Sequence, residues 1–214
     1  ISSSVPKKPI SCALSIIDKL DTLVGFYLIN EKPTSSKDPF ALRRAAIGLL
    51  RTVIENNITI KLRDLIDSSI KIYLEQGVKE LNSEVSKDLL IFFRERMKNI
   101  LKERKIRTDL IEASISSHLS DNFLELYKKT LIMKKFISKD LGKNAVSTYK
   151  RASNILEQEK SVSKNGPDAV LFKYEEEKEL FERINNIRKA FTLKEEKNNY
   201  EEHLKLLSDT KLST

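Results

Sequence analysis

The residues that could carry out catalysis are few and lie far apart in the sequence. The chain has two histidines, His118 and His203, and one cysteine, Cys12, each in a different segment. A Ser/His/Asp or Cys/His site needs such groups within hydrogen-bond reach of one another, and their positions do not indicate this. The five glycines are too scattered to form a loop that holds phosphates. We therefore predict that this chain alone is not catalytic.

Basic residues are better placed for a function, and the first group surrounds the start of a helix. Lys37, Arg43, Arg44 and Arg51 are candidates for binding nucleic-acid phosphates, because Lys and Arg neutralise that backbone. Packing within the protein is the alternative for the arginines. In particular, Arg51 could form an intrahelical pair with Glu55, worth about 0.2–0.5 kcal/mol.

Gly48 lies between Arg44 and Arg51 on one face of this helix. Glycine inside a helix costs about 1 kcal/mol relative to alanine, so a glycine here indicates that something approaches the backbone closely. The approaching group could be another helix or a phosphate backbone.

A second basic group forms a ridge along the stretch RERMKNILKERKIR. Arg94, Lys98, Lys102 and Lys105 advance by three or four residues, as positions on one helical face do. Interspersed glutamates dilute their charge, so a solvated face is the alternative to a ridge that binds nucleic acid.

A third basic pair, Lys150 and Arg151, lies beside Tyr149 and Asn154. Cations next to an aromatic ring and an amide can bind single-stranded bases by stacking and hydrogen bonding. Lys150 and Arg151 are therefore also candidates for binding single-stranded nucleic acid, with a solvated surface as the alternative.

The first predicted helix carries a small, polar face that could hold a site. Ser11, Ser15, Asp18, Thr22 and Gly25 fall within a narrow arc at 100° per residue. Close packing against a neighbouring helix, with Asp18 buried and hydrogen-bonded, is one interpretation. The other is that Asp18 is, or once was, a ligand that faces a site.

The elements that must position these residues are helices throughout. The chain of 214 residues has five glycines and five prolines, with no proline between Pro39 and Pro167, too few turn residues for a sandwich or barrel. We predict an all-α fold. Asp38 is the expected N-cap of the second helix with Pro39 as its first residue, and Asp121 the expected cap of the helix that follows it. The predicted helices run approximately over Cys12–Ile29, Pro39–Asn57, Leu62–Glu75, Glu84–Lys105, Asp109–Leu119, Asn122–Ile137 and Asn144–Gln158, followed by a helical hairpin from Leu171.

Composition favours a polyanionic partner. The formal net charge is +8, and the isoelectric point is about 9.4, which suits a nucleic acid. A single cysteine fits a reducing compartment, and no apolar run is long enough to span a membrane, so we expect a cytoplasmic protein. The sequence lacks an initial methionine and ends inside a helical pattern, which leads us to expect an internal fragment of a longer protein.

The stretch DKLDTLVGFYLINEKPTSSKDPFALRRAAIGLLR, residues 18–51, resembles the signature of the β subunit of bacterial glycyl-tRNA synthetase of the two-subunit type. Ser35 departs from that pattern, which usually has glycine there, and puts the loop conformation in question. Later segments resemble the family in the right order with weaker identity. The matching residues are Asp18, Lys19, Asp21, Thr22, Gly25, Lys32, Pro33, Lys37, Asp38, Pro39, Phe40, Arg43, Arg44 and Gly48.

The resemblance implies a glycine–tRNA ligase that works as an α₂β₂ heterotetramer. In it the β subunit holds tRNA(Gly), while the α subunit carries ATP-dependent aminoacylation and uses ATP and Mg²⁺, so this fragment is expected to bind no cofactor. It also implies the remainder of an HD-like helical domain at 1–80, a helical connection at 81–140, and the beginning of an anticodon-binding domain at 141–214. Asp18 would match the last aspartate of the HD pattern, whose hydrolase chemistry the family is thought to have lost, so no metal is expected.

Two other functions remain open from the residues. A divergent HD-type metal-dependent phosphohydrolase would need further His and Asp ligands together with Asp18. A purely structural helical adaptor would need no ligand, because every basic ridge would be solvated surface.

Overall fold

The fold is described by a computed structural model, in residues 4–79, 82–117, 121–158, 166–194, 200–202 and 204. These residues contain no strand, and they form eight α-helices and one short 3-10 turn at Ala169–Leu171. The all-α prediction is confirmed. The second arm of the predicted hairpin, like His118 and His203, lies largely or wholly outside the described residues. The α-helices are α1 Pro9–Leu28, α2 Leu42–Glu55, α3 Leu62–Glu75, α4 Val85–Glu103, α5 Thr108–Ser117, α6 Phe123–Ile137, α7 Asp140–Gln158 and α8 Glu175–Lys194.

The chain divides into two compact units, Ile1–Thr130 and Leu131–Thr214. In the first unit α1 packs on α2, α3 and α4, and α4 packs in turn on α2, α3 and α5. The division into three domains implied by the resemblance stays a prediction. Within the described residues, no helix combines the length and apolar character needed to cross a membrane.

The core of the first unit consists of leucine-rich stripes on α1, α2 and α4. Leu23, Leu28, Leu49, Phe93 and Met97 have at most 1% of their surface exposed. Apolar residues recur every three or four positions in these helices, so each helix presents one face to its neighbours. Burying a side chain of this size contributes about 1.5–3 kcal/mol, which makes this cluster the main source of stability in the unit.

The second helix begins later than its sequence predicts. Helix α2 starts at Leu42, preceded by Ala41 in the left-handed conformation with φ 55°. The carboxylate of Asp38 nevertheless accepts hydrogen bonds from the backbone amides of Leu42 at 2.8 Å and Arg43 at 3.0 Å. Asp38 therefore caps α2 as expected, but Pro39 as first helical residue is wrong, because a turn at 39–40 intervenes.

Asp121 caps a different helix from the one predicted. Its carboxylate accepts a hydrogen bond from the backbone amide of Arg63 at 2.8 Å, in the first turn of α3. The first turn of α6 is instead capped by Asn122, whose side-chain oxygen accepts from the amide of Glu125 at 3.1 Å. Asp121 thus connects the start of α6 to the start of α3. Asp121 and Arg63 are 58 residues apart in the sequence.

The second unit is much less buried. Gly142 is the only buried residue of α7 in the described chain. A Cβ at this position would lie 2.2 Å from the carbonyl oxygen of Phe136 and 2.7 Å from the Cα of Ile137. Glycine is required here because α7 begins directly after α6 and the two backbones pass too closely for any side chain.

Candidate nucleic-acid interface

The loop before α2 is held by contacts made within the loop and to both adjoining helices. The Thr34 amide donates to the Lys37 carbonyl at 3.0 Å, and the Arg43 guanidinium donates to the Thr34 carbonyl. The rings of Phe26 and Phe40 stack with their centroids 4.0 Å apart. Ser35 has no positive φ, so the loop does not need the glycine that the resemblance led us to expect. The loop is a fixed junction between α1 and α2.

The side chain of Lys32 in this loop makes contacts within the protein. Its ammonium donates to the Asp88 carboxylate at 2.6 Å and lies 6.0 Å from the centre of the Tyr27 ring. The bond from Lys32 lowers the pKa of Asp88. Burial, followed by the charge of Asp88, raises the pKa of Tyr27. Lys32 therefore fastens the loop to the start of α4.

The close approach predicted at Gly48 is made by a lysine of α1. A Cβ at Gly48 would lie 2.9 Å from Cε and 3.3 Å from Cδ of Lys19. The Lys19 ammonium donates to the hydroxyl of Ser15 at 2.9 Å, which keeps the stem across the glycine. Of the two alternatives for Gly48, helix packing is the one observed, and the Lys19 stem occupies the space beside the glycine.

Arg51 and Arg43 are engaged in contacts within the protein. The Arg51 Nε donates to the Glu55 carboxylate at 3.0 Å, as the intrahelical alternative predicted. Lys7 also lies 3.9 Å from Glu55. Arg43 is held by the Thr34 carbonyl. Both guanidiniums therefore have a structural use, which limits what they can offer to a ligand.

Arg44 and Lys37 remain available at the surface. Both side chains are exposed, and neither makes a hydrogen bond or ion pair in the part of the chain that the structure describes. They lie at the loop and at the first turn of α2, so the fixed junction holds the backbone from which both extend. Of the first basic group, Lys37 and Arg44 are the two cations positioned to meet a polyanion.

The second basic group is mostly used to join α4 to α5. Lys98 lies 3.0 Å from Glu112 of α5 and 3.1 Å from Glu95, and its bond to Glu112 raises its pKa. The Arg94 guanidinium donates to the Ile115 carbonyl at 3.3 Å. Lys102 and Lys105 are exposed at the far end of the ridge. The part of the ridge that faces α5 is therefore structural.

In the second unit, α7 separates its aromatic residue from its cations. Tyr149 has 72% of its surface exposed and lies in an apolar stripe with Leu141 and Leu156. At 100° per residue, Lys150 and Arg151 lie about 120–140° from the centre of that stripe. They share the polar side of α7 with Asn154, and all three are exposed. The structure thus groups Lys150, Arg151 and Asn154, and places Tyr149 on another face.

A groove of about 480 Å³ in the second unit was missed by the sequence analysis. It is lined by Phe172 and Phe181, whose rings meet edge to face with centroids 5.4 Å apart. Asn185 and Asn186 line one side of the groove. The sequence contains one signal for it. Phe181 and Asn185 are four residues apart, which puts them on the same face of α8, and Phe172 lies just before that helix.

Comparison with known proteins decides the family. The model of the family described as glycyl-tRNA synthetase beta subunit matches residues 1–116. The chain belongs to this family. The resemblance drawn from residues 18–51 is thereby confirmed.

Relatives with the same description extend the match to most of the chain. The glycine–tRNA ligase beta subunit of Ruegeria sp. (strain TM1040) is 40% identical over 157 residues, 73% of this chain and 21% of the relative. That of Rhodospirillum centenum (strain ATCC 51521 / SW) is 38% identical over 185 residues, 84% of this chain and 25% of the relative. The chain therefore spans about a fifth to a quarter of the length of these relatives.

Several signature residues of the β-subunit family are structural in this chain. Gly25 lets the Tyr73 hydroxyl of α3 come within 2.7 Å of where a Cβ would lie, and that hydroxyl donates to the Asp21 carbonyl at 3.2 Å. Burial, followed by the nearby side chain of Asp21, raises the pKa of Tyr73. Pro33 is half-buried within the loop. These residues fix where α3 and the loop lie on α1.

The structure contradicts one of the two interpretations of Asp18, and the other, a ligand that faces a site, stays a prediction. Its side chain is 80% exposed, with Lys19 at 4.0 Å, so the expectation that it is buried and hydrogen-bonded is wrong here. Among residues 4–79, 82–117, 121–158 and the later described stretches, no group of three His, Cys, Asp or Glu side chains is arranged to hold a metal ion. Asp18 is therefore a surface carboxylate in this structure.

Proposed function

We propose that this chain is a tRNA-holding part of the β subunit of a glycine–tRNA ligase. The observation that carries the proposal is membership of the glycyl-tRNA synthetase β-subunit family, matched over residues 1–116. The net charge of +8 supports it, because a polyanionic ligand is favoured by that charge. Its substrate in the complete enzyme is tRNA(Gly).

The proposal assigns a pair of phosphate-binding cations to each of the two units. In the first unit Lys37 and Arg44 bind phosphates beside a rigid loop, since both are exposed and unpaired in the described chain. In the second unit Lys150 and Arg151 do the same from the polar side of α7, next to Asn154. Contacts to phosphates position an RNA, whereas contacts to base edges select it.

The bond-making steps belong to the partner in this proposal. An α subunit, joined with β in an α₂β₂ heterotetramer, binds ATP and Mg²⁺ and attaches glycine to the tRNA. This chain contributes by holding the tRNA in place, so no step of the chemistry is placed on its residues. The intact complex is the ligase, and this chain alone is inactive.

A salt titration of the complete β subunit with tRNA(Gly) tests the electrostatic part of the proposal. The affinity should fall steeply as salt rises, and the slope of log K against log salt should become shallower by about 1 for each phosphate contact removed. Lys150→Ala with Arg151→Ala should weaken tRNA binding and reduce that slope. Unchanged binding by this double variant would remove these two residues from the interface.

Aminoacylation with the α subunit supplied tests the role in the ligase. The β subunit should support glycylation of tRNA(Gly) only when α is present, and it should show no such activity alone. A β subunit that neither binds tRNA(Gly) nor supports glycylation with α would contradict the proposed function as a whole.

A further inference from the structure

We propose that the groove between Phe172 and α8 binds one unpaired nucleobase of an RNA strand. The inference rests on the proposed function, since it takes RNA as the ligand, and it adds a base-recognition site separate from the cations of α7. A volume of about 480 Å³ falls within the range of pockets that hold small planar ligands.

The two aromatic rings that line the groove are suited to stacking. Phe172 and Phe181 are half-buried, with ring centroids 5.4 Å apart and planes inclined by 65°. One of the two rings can therefore present its face to a ligand while the other supports it from the side. Stacking of a base on an aromatic side chain is the common attraction in single-strand binding and accepts any base.

Hydrogen bonds hold the backbone on both sides of Phe172. Asp168 accepts a hydrogen bond from the Val170 amide at 3.0 Å and so caps the 3-10 turn before Phe172. The Glu177 carboxylate accepts from the amides of Lys173 at 2.7 Å and Tyr174 at 3.1 Å, and these bonds lower its pKa. Phe172 is thus held between two capped turns.

The walls offer hydrogen-bonding groups that the protein does not use. The side-chain amides of Asn185 and Asn186 make no hydrogen bond to any described residue. An amide can donate and accept at once, which is the pattern that the edge of a nucleobase requires. Lys189 also lines the groove, and its ammonium can meet the phosphate of the same nucleotide.

Glu182 and Lys178 also line the groove, so a carboxylate and an ammonium group stand beside the two amides. The rings of Phe172 and Phe181 favour a base inside the groove, and Lys178 and Lys189 leave a place for its phosphate. A carboxylate accepts from an exocyclic amino group such as N4 of cytosine, and asparagine pairs well with adenine. The groove is therefore expected to prefer a base that carries an amino group over uracil.

Binding of tRNA(Gly) by the complete β subunit, followed by fluorescence anisotropy, tests the site. Asn185→Ala with Asn186→Ala should weaken binding by about 5- to 30-fold, as expected for about 1–2 kcal/mol of lost hydrogen bonding. Phe181→Leu keeps the apolar volume while removing the ring and should weaken binding by a similar factor. The matched control Asn99→Ala removes an exposed amide from α4 and should bind as wild type does.

Dimethyl sulfate probing of the bound tRNA supplies a readout that a general loss of structure would not give. In the wild-type complex at least one unpaired adenine or cytosine should be protected, and the asparagine double variant should lose that protection while the control keeps it. Wild-type affinity and unchanged protection in the groove variants would overturn the inference, while steep salt dependence would leave the proposed function standing. Absence of tRNA binding by the wild-type protein would contradict both the base-binding groove and the proposed function.

Discussion

Helices α2 and α7 have similar side chains and very different surroundings. Each carries a pair of adjacent cations and an apolar stripe. In α2 seven residues are buried, among them Leu42, Leu49 and Leu50. In α7 the described structure buries only Gly142, and Leu156 remains 54% exposed.

This difference shows how packing determines what a cation can do. Where α2 is packed, neighbouring groups are close enough to engage Arg43 and Arg51, and the stem of Lys19 covers Gly48. Arg44 alone of the α2 arginines points to solvent without a partner in the described chain. On α7 no described residue makes a hydrogen bond or ion pair with the side chain of Lys150 or Arg151, so both stay available to a ligand.

The largest expected difference between the units concerns stability. Phe93→Ala empties the core of the first unit, where Phe93 has no exposed surface, and should lower the free energy of unfolding by about 3–5 kcal/mol. Leu156→Ala on α7 should lower it by less than about 1 kcal/mol, because half of that side chain is already in water. Urea unfolding followed by circular dichroism measures both. Equal losses would mean that α7 is packed as closely as α4.

Substitutions at Gly142 and Gly48 test the packing of α7 and α2 more sharply than those core substitutions do. Gly142→Ala should cost roughly 2–3 kcal/mol, because a Cβ would meet backbone atoms of α6 that have no room to move. Gly48→Ala should change stability by less than about 1 kcal/mol, since the end of the Lys19 side chain is flexible and alanine favours the helix. Hydrogen exchange of amides in α7 and α2 reports each site locally. A larger effect at Gly48 would mean that Lys19 is held rigidly.

Arg44 and Arg51 form a matched pair on one face of α2. Arg44→Ala should weaken tRNA(Gly) binding by about 2- to 5-fold, as expected for one exposed phosphate contact. Arg51→Ala should leave binding nearly unchanged and lower stability by about 0.5 kcal/mol, because its partner is Glu55. Anisotropy and urea midpoints for both variants separate the two roles. The opposite pattern would assign the phosphate contact to Arg51.

The smallest expected effect depends on pH. Because Lys32 lowers the pKa of Asp88 in the folded protein, the pair stabilises the fold above the unfolded pKa of aspartate, near 3.9, and the contribution is lost as pH falls through the lower folded value. Asp88→Asn should cost about 0.5–1 kcal/mol at pH 7 and almost nothing once wild-type Asp88 is protonated. Urea unfolding midpoints of wild type and Asp88→Asn, measured at pH 7 and at a pH low enough to protonate Asp88, give the comparison.

Asp140→Asn on α7 is the control for that measurement. Its carboxylate pairs with Lys143 at 3.0 Å but is 92% exposed, so its removal should have no measurable effect at either pH. A pH-independent loss in Asp88→Asn would show that the hydrogen bond to Asn82, at 3.2 Å, matters more than the charge of Asp88.

Much of the fold could be predicted because helix periodicity is local. The predicted α3, Leu62–Glu75, has the observed bounds, and α6 ends at Ile137 as expected. Apolar spacing of three or four residues and the scarcity of proline were sufficient for these helices. The start of α2 was misplaced by three residues because a left-handed Ala41 is not a signal that residue type gives.

The sequence by itself determined the all-helical class, the capping role of Asp38, the Arg51–Glu55 pair and the family, since each depends on residues close together in the chain. Only the tertiary structure decided that Asp121 caps α3, that Lys19 fills the space at Gly48, that Asp18 is exposed, and that Phe172 and Asn185 line one groove. The physical reason is that these contacts join separate elements, and which element lies opposite a side chain depends on how whole helices pack rather than on the spacing within any one of them.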